Sequence, residues 1–404
     1  MKDSLAIFGN IFSFLEFHTV EEILHEFDKY HSIQKTVVVM KLKIFSDLQY
    51  LPESSHPVTI LQPFWSSPSE NDVAPWSKSI IHYANISHSL FEITSLEEAD
   101  FAILPFDWLD VRGNTWTAKI NNSAMYLGIQ FAEMVKQAQK PLVIFFSSDC
   151  SHEKIPIKDA FVFRQSLLAS QRQPRDFAMN AVYEDLIEYY HENELPIRQK
   201  RAKPVVGFNG YAYKTPWKIK LKEIIHKIGT LKNGGASFLP YRGHSLRMEA
   251  IEYLSKSPEI ETNFVVRENM AFFEANDLQQ KLKLRLEYLR NIVESDYIIC
   301  CRGRGNFSIR LFETLCCGRI PIFIDTECIL PYDFKIDWKK YCVWIDSKDL
   351  PQISQRVIEF HNNLSDQEFV DFQYECRQLW KEWLSTQGFF TNFWQHFPEN
   401  TFKK

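Results

Sequence analysis

An arginine- and glycine-rich stretch between two apolar runs carries the clearest chemical signal in this sequence. The run 297–301 predicts a buried strand, and the run 309–317 predicts a helix that Gly318 ends. Glycine frees backbone N–H groups in the turn between them, and the start of the helix adds its own unpaired N–H groups. With guanidinium groups beside it, such a turn is suited to hold an anion, most often a phosphate. The residues concerned are Arg302, Gly303, Arg304, Gly305, Asn306, Ser308 and Arg310.

Glu313 lies five residues past Ser308, the expected N-cap of this helix. Its carboxylate is placed to reach sugar hydroxyls beside a bound phosphate, and it is equally placed as an ordinary carboxylate on a helix face. The turn lacks the GxxxxGK[ST] pattern of a P-loop, and the GxGxxG pattern of a dinucleotide site fails after Gly305. A plain strand–helix turn with solvated arginines is therefore the alternative interpretation.

The elements that must position this turn follow from length and hydrophobic pattern. A chain of 404 residues is too long for one ordinary core, so we expect two domains. Continuous apolar strands alternate with helical patterns, which is typical of parallel sheets covered on both faces. The fold class is therefore α/β, with two doubly wound domains that join near 194–203. The predicted strands are 37–45, 99–106, 141–146, 204–208, 263–266, 297–301, 320–324 and 343–345, and the main predicted helices are 118–139, 217–228, 247–255, 278–293 and 309–317.

Polar groups follow several of these strands. In doubly wound domains the carboxyl ends of the strands border the ligand cleft, so side chains placed there reach its rim. Asp107 and Asp149 follow strands of the first half, His152 lies three residues further on, and Gly210 follows a strand of the second half. Either aspartate, or His152, is a candidate general base, and an aspartate after a strand is equally a routine turn or helix cap.

Composition limits the partners of the chain. The formal net charge of −5 argues against a general nucleic-acid-binding protein. Seven of the eight cysteines lie between 300 and 376 without the spacing of a metal site, so we expect buried thiols in a reducing compartment. The apolar run 5–15 is too short to span a bilayer, and we expect a soluble, cytoplasmic protein with at most peripheral membrane contact.

The order of residues from 302 to 346 resembles the exostosin family of glycosyltransferases (glycosyltransferase family 47), which includes the heparan-sulfate-polymerase-like enzymes. Three consecutive blocks carry the resemblance: 302–310, 311–324 and 325–346. It implies a GT-B architecture, two Rossmann-like domains that face a central cleft. The implied division is an acceptor domain at 1–197, a nucleotide-sugar domain at 198–367, and a helical tail at 368–404 that packs back on the body. The secretory membrane anchor of the animal members is missing, which favours a soluble member of microbial type.

The same resemblance implies roles for individual residues. Arg302 and Arg310 would offset the charge of a leaving nucleoside diphosphate, as a metal does in other enzymes, and Glu313 would hold ribose hydroxyls. The diphosphate loop would be shaped by Gly303, Gly305, Asn306 and Ser308, with further contacts from Gly210, Arg247 and Arg267. For Arg247 and Arg267 a surface salt bridge is the alternative.

The resemblance thus implies a glycosyltransferase that works with inversion and without a cofactor or an obligatory metal. The expected donor is a nucleoside diphosphate sugar, with UDP as the expected nucleotide, and the acceptor a glycan or a lipid-linked sugar. A noncatalytic exostosin-like subunit that binds a glycan or a nucleotide is the alternative function. The sugar, the linkage and the oligomeric state do not follow from the residues.

Overall fold

Two parallel β-sheets organise the chain in the computed structural model, which describes residues 41–66, 75–115, 118–214, 243–269, 271–275, 277–398 and 401. The predicted helix 217–228 and the first residues of the predicted strand 37–45 lie outside these ranges. Among the described residues, no helix combines the length and the apolarity needed to cross a bilayer.

The first sheet has six strands, and all of them are parallel. The strands are β1 Leu42–Phe45, β2 Phe91–Ile93, β3 Phe101–Ile103, β4 Leu142–Phe146, β5 Phe161–Arg164 and β6 Asp176–Ala178, and the helices are α1 Gln62–Trp65, α2 Pro75–Leu90, α3 Leu109–Arg112, α4 Asn122–Gln137 and α5 Leu186–Tyr190. The order across the sheet is β2-β1-β3-β4-β5-β6. Strands β3, β4 and β5 are buried along their whole length, which is why β3 and β4 read as continuous apolar runs in the sequence.

The second sheet has five parallel strands. The strands are β7 Val205–Tyr211, β8 Glu261–Arg267, β9 Tyr297–Cys301, β10 Ile320–Asp325 and β11 Val343–Asp346, and the helices are α6 Gly243–Ser255, α7 Ala271–Glu274, α8 Leu278–Val293, α9 Ile309–Cys316 and α10 Ile353–Asn362. The order across the sheet is β11-β10-β9-β7-β8. All eight cysteines are free, and all but Cys328 are buried, as expected from the sequence.

The carboxyl edges of the two sheets face each other. The backbone N–H of Gly305, in the loop after β9, donates to Asp149 Oδ1 at 3.1 Å, and Asp149 lies in the loop after β4. The next backbone N–H, of Asn306, donates to Ser166 Oγ in the loop after β5. Two parallel α/β sheets with facing carboxyl edges confirm the predicted fold class and its GT-B architecture.

The end of the chain connects the two sheets. Helix α11, Asp366–Leu379, lies against α9, since Arg377 Nη1 donates to the carbonyl of Cys316 at 2.8 Å. A π-helical turn, Trp380–Leu384, leads to α12, Thr386–Thr391, and to a last turn at Phe393–His396. There the ring of Phe393 packs against Phe163, with centroids 4.8 Å apart, on the first sheet. The tail therefore starts on the second sheet and ends on the first.

One hydrogen bond joins this tail to the segment after β10 and supplies a stability test. The hydroxyl of the buried Tyr332 donates to the carbonyl of Phe389 at 2.6 Å. Replacing Tyr332 with phenylalanine leaves that carbonyl buried without a donor, so we expect the free energy of unfolding to fall by about 1–2 kcal/mol. Urea denaturation measures the change. Tyr374→Phe is the control, because its side chain is exposed and the change should leave stability unaltered.

Candidate active site

The candidate site lies where the strand order of the second sheet reverses. This occurs between β7 and β9, and ligands of doubly wound sheets bind in the crevice outside the carboxyl ends of such strands. The loop after β9 carries the arginines and glycines singled out in the sequence, and β7 ends beside it. Helix α6 contributes Arg247, and helix α9 contributes Arg310 and Glu313. The local order of strand, glycine-rich turn and helix thus positions the loop at this crevice.

Close backbone approach explains some of the glycines around the loop but not all. A Cβ at Gly305 would lie 2.8 Å from the Cα of Asp149, and one at Gly243 would lie 2.1 Å from the carbonyl oxygen of Arg302. A Cβ at Gly303 would make only ordinary contacts, 3.9 Å from the carbonyl oxygen of Phe307 and 4.0 Å from Arg247 Nη2, and the N–H of Gly303 donates to that carbonyl at 3.0 Å. Ser308 occupies the N-cap position of α9, yet its side chain accepts no hydrogen bond from the first turn. The N–H of Leu311 donates to the carbonyl of Ser308 at 3.2 Å, and the other N–H groups of this turn are not capped by the Ser308 side chain.

Arg310 reaches from α9 to the end of β7. Its Nη2 donates to the carbonyl of Asn209 at 2.7 Å, and its Cζ lies 4.5 Å from the ring centroid of Phe208 and 5.6 Å from that of Tyr288. Gly210 has a φ of 154°, and a Cβ there would lie 2.7 Å from Arg310 Nη2. Glycine at this position therefore makes room for the guanidinium. Nε of Arg310 is buried and has no hydrogen-bond partner among the described residues.

Arg247 approaches the same place from α6. Its Nη2 donates to the carbonyl of Arg302 at 2.9 Å and its Nη1 to the carbonyl of Tyr211 at 3.2 Å, while its Nε is buried without a partner in the described ranges. Burial and the neighbouring Arg310 guanidinium lower the pKa of Arg247 to about 10. Two cations thus stand close together, each bonded to carbonyls and neither paired with a carboxylate of the described chain. An anion bound beside them would relieve this repulsion.

Two further arginines of the predicted set are placed differently. Arg267, at the end of β8, donates from Nη2 to Glu287 at 2.5 Å, and both side chains are partly exposed. This is the ion pair that the sequence left open as an alternative. Arg302 is buried, and its Nη2 donates to the carbonyl of Arg304 at 2.9 Å, so it stiffens the loop itself.

The side chain of Asn306 pins the loop in place. Its Nδ2 donates to the carbonyl of Leu167 at 3.3 Å and to that of Thr326 at 3.2 Å, and its Oδ1 accepts from the hydroxyl of Thr326 at 2.5 Å. Leu167 follows β5 and Thr326 follows β10, so Asn306 ties the loop to both sheets. Its amide group is used within the protein, and a ligand would meet the backbone of the loop rather than this side chain.

Glu313 is buried and already bonded. Its Oε1 accepts from Arg285 Nη1 at 2.7 Å, and its Oε2 accepts from the hydroxyl of Tyr288 at 2.5 Å. Arg285 also donates from Nε to Glu184 at 3.0 Å, and all three ionised side chains have 9% or less of their surface exposed. In this arrangement the Glu313 carboxylate faces protein partners, and ribose hydroxyls would have to compete with them.

The two aspartates among the candidate bases differ in their hydrogen bonds. Asp107 Oδ1 accepts from the backbone N–H groups of Leu109 and Ser147, and its Oδ2 accepts from Ser147 Oγ at 2.5 Å. Both carboxylate oxygens thus hold the turn before α3. Asp149 Oδ1 accepts from Gly305, but its Oδ2 has no hydrogen-bond partner among the described residues, and the side chain is half-buried at the facing edges.

The surroundings of Asp149 and His152 shift their pKa values in opposite directions. Burial raises the pKa of Asp149, and the Gly305 hydrogen bond and the Arg304 and Arg302 charges only partly counter it. Burial lowers the pKa of His152, and nearby cations, Arg302 among them, act in the same direction despite Glu153. The imidazole is therefore neutral near pH 7. An aspartate with a raised pKa and a neutral histidine both suit proton transfer near neutrality.

Sequence reasoning missed three residues of this region: Glu184, Arg285 and Tyr288. The last two are three positions apart on α8 and so share one helix face, a signal that the sequence contained. Glu184 follows β6, more than a hundred residues earlier, and no local pattern connects it to Arg285.

Two facing parallel sheets with a cationic, glycine-rich loop at one switch point define a GT-B protein. Residues 241–360 match the model of the Exostosin GT47 domain. The match includes the stretch 302–346, whose residue order resembles the exostosin family.

Curated relatives agree with this assignment over short stretches. Exostosin-1 of Drosophila melanogaster is 26% identical over 102 residues, which are 25% of this chain and 13% of that protein. The Exostosin-1 homolog of Caenorhabditis elegans is 31% identical over 74 residues, 18% of this chain and 19% of that protein. The aligned part of the chain thus spans less than a fifth of the length of either relative.

Among solved structures, a mutant of TarM from S. aureus in complex with Fondaparinux, alpha-GlcNAc-glycerol and UDP covers 76% of this chain and 51% of its own. Its sequence identity is 10% and its TM-score is 0.32. The likeness is too slight to define the fold of this chain, which the two parallel sheets define.

Proposed function

We propose that the protein is a glycosyltransferase that moves a sugar from a nucleoside diphosphate, UDP in the first instance, to a glycan or lipid-linked acceptor. The observation that carries this proposal is the pair Arg247 and Arg310, two cations without a carboxylate partner among the described residues, at the switch point and with Asp149 on the facing edge. The match of residues 241–360 to the Exostosin GT47 domain and the names of the curated relatives support the same class of activity.

The reaction proposed for this arrangement is a single displacement with inversion. Asp149 Oδ2 takes the proton of the acceptor hydroxyl, and the resulting oxygen nucleophile attacks the anomeric carbon. The bond from that carbon to the diphosphate oxygen breaks on the opposite side, and the diphosphate leaves with the bonding electrons. Arg247, Arg310 and the N-terminal end of α9 stabilise its added negative charge. In this scheme the arginines supply the charge that a metal supplies elsewhere, and no cofactor is required.

Several finer assignments belong to the same proposal. The acceptor would bind to the 1–197 part and the donor to 198–367, with 368–404 as the tail. Gly303, Gly305 and Ser308 would shape the diphosphate loop, and Arg302 and Asn306 would keep it rigid. We also propose a cytoplasmic location, as the sequence predicted.

Calorimetry with the purified protein tests the donor site. We expect UDP to bind and uridine to bind much more weakly, because the two arginines recognise the diphosphate and not the base. A well-folded protein with no affinity for any nucleoside diphosphate would contradict the proposal. Titration with a panel of nucleotide sugars, followed by assays of hydrolysis and transfer, then identifies the sugar. Binding without transfer to any acceptor would favour the noncatalytic alternative.

A further inference from the structure

Within the described part of the chain, the guanidinium of Arg310 is oriented without a direct carboxylate partner. Its fixed contacts are the carbonyl of Asn209 and the rings of Phe208 and Tyr288. The nearest acidic residue on its own helix, Glu313, lies one turn further along α9, where a direct ion pair with Arg310 would be sterically ordinary. Instead, Glu313 pairs with Arg285 at 2.7 Å.

Tyr288 stands between the two charges. Its hydroxyl donates to Glu313 at 2.5 Å, and its ring lies 5.6 Å from Arg310 Cζ. Burial and the adjacent Glu313 carboxylate raise the pKa of Tyr288 well above its usual range, so the side chain stays neutral. The neutral ring of Tyr288 therefore packs against the Arg310 guanidinium. The Glu313 carboxylate holds this ring, and Arg285 balances the charge of Glu313.

We propose that Tyr288 and Glu313 are positioning residues that fix the guanidinium of Arg310 for an anionic ligand without neutralising it. A direct ion pair with Glu313 would also fix Arg310, but an incoming phosphate would then compete with the carboxylate for the same donors. The interposed ring orients the cation through its face, and Arg285 takes up the charge of Glu313. The inference rests on the proposed function, because it assumes that Arg310 binds the diphosphate.

Removing the Tyr288 hydroxyl tests the inference. Tyr288→Phe keeps the ring but frees it from Glu313, so Arg310 loses its fixed neighbour. We expect the Kd for UDP to rise up to about tenfold, because the Arg310 side chain must then be ordered when UDP binds. The Kd for uridine should not change, because the effect passes through the guanidinium. Calorimetry measures both constants.

A double-mutant cycle separates positioning from general destabilisation. In an Arg310→Lys background there is no guanidinium to orient, so adding Tyr288→Phe should change the Kd for UDP by less than about twofold. Glu313→Gln should give the same pattern as Tyr288→Phe, because the Tyr288 hydroxyl loses its charged acceptor.

Tyr297→Phe is the matched control. Tyr297 is a buried tyrosine of strand β9, and its hydroxyl lies 3.0 Å from Nδ1 of His361 on α10. The Tyr297→Phe variant should lose about as much stability as Tyr288→Phe and should keep its affinity for UDP. The inference is wrong if Tyr288→Phe binds UDP as tightly as the unmodified protein does, or if it raises the Kd for uridine by the same factor as the Kd for UDP. It is also wrong if the effects of Tyr288→Phe and Arg310→Lys on the Kd for UDP simply add in the double mutant. An unmodified protein that does not bind UDP would instead contradict the proposed function.

Discussion

Replacing Asp149 with asparagine is expected to lower the rate of sugar transfer by about 10²–10⁴-fold, the usual contribution of a general base. The amide cannot take the proton of the acceptor hydroxyl. The asparagine Oδ1 still accepts from the N–H of Gly305, so UDP should bind with little change. Transfer assays and UDP calorimetry on the same preparation distinguish the two effects.

Asp100→Asn is a suitable control for this change. Asp100 is also half-buried and accepts one backbone N–H, that of Lys43 at 2.8 Å, but it precedes β3 and so lies at the amino edge of the same sheet. Its replacement should leave transfer unchanged. If Asp149→Asn still transfers sugar while Asp107→Asn does not, the base is Asp107 and our assignment is wrong.

The pH dependence of the transfer rate also tests whether Asp149 is the general base. Asp149 accepts a proton only when it is ionised, so the rate should fall as pH drops through its pKa. Burial raises that pKa, which shifts the fall to a higher pH than an exposed aspartate would give. A carboxylate with a raised pKa favours folding only below that pKa and costs stability when ionised. Asp149→Asn should therefore not lower the free energy of unfolding at neutral pH. The residual transfer rate of this variant should no longer fall as the pH drops through the pKa of Asp149.

Replacing Arg310 with alanine is expected to lower kcat/KM for the donor by about 10²–10³-fold, as the loss of one preorganised donor to a developing negative charge does elsewhere. Arg310 has no carboxylate partner within the described ranges, so its charge is available to the leaving diphosphate. The Kd for UDP should rise as well, and its dependence on salt should become weaker because one charge contact is gone. Calorimetry at two ionic strengths measures both changes.

Arg290→Ala is the matched control for the loss of a positive charge. Arg290 lies on α8, its side chain is 77% exposed, and its ion pair with Glu294 is 3.7 Å long. Its removal should leave donor binding and turnover unaltered. Near-normal turnover in Arg310→Ala would show that this guanidinium does not stabilise the leaving group.

Local sequence was sufficient for most of the second sheet. The predicted strand 297–301 and helix 278–293 have those bounds in the structure, because a continuous apolar run and a helical period are both visible within a single element. The first sheet was harder. Strand β2 follows α2 without a gap, and β6 has three residues including a buried Asp176, so neither shows a strand pattern of its own.

The sequence by itself determined the cationic loop between β9 and α9, since a strand, two glycines and a helix start are local features. It did not determine which side chains of that region remain available to a ligand. The bond from Gly305 to Asp149 spans 156 positions, and the ion pairs of Arg285 join Glu184 to Glu313. Only the tertiary structure could show that Arg267 and Glu313 have ionic partners while Arg247 and Arg310 have no carboxylate partner among the described residues. Pairing of buried charges depends on which distant segments the two sheets bring together, and no single segment encodes that.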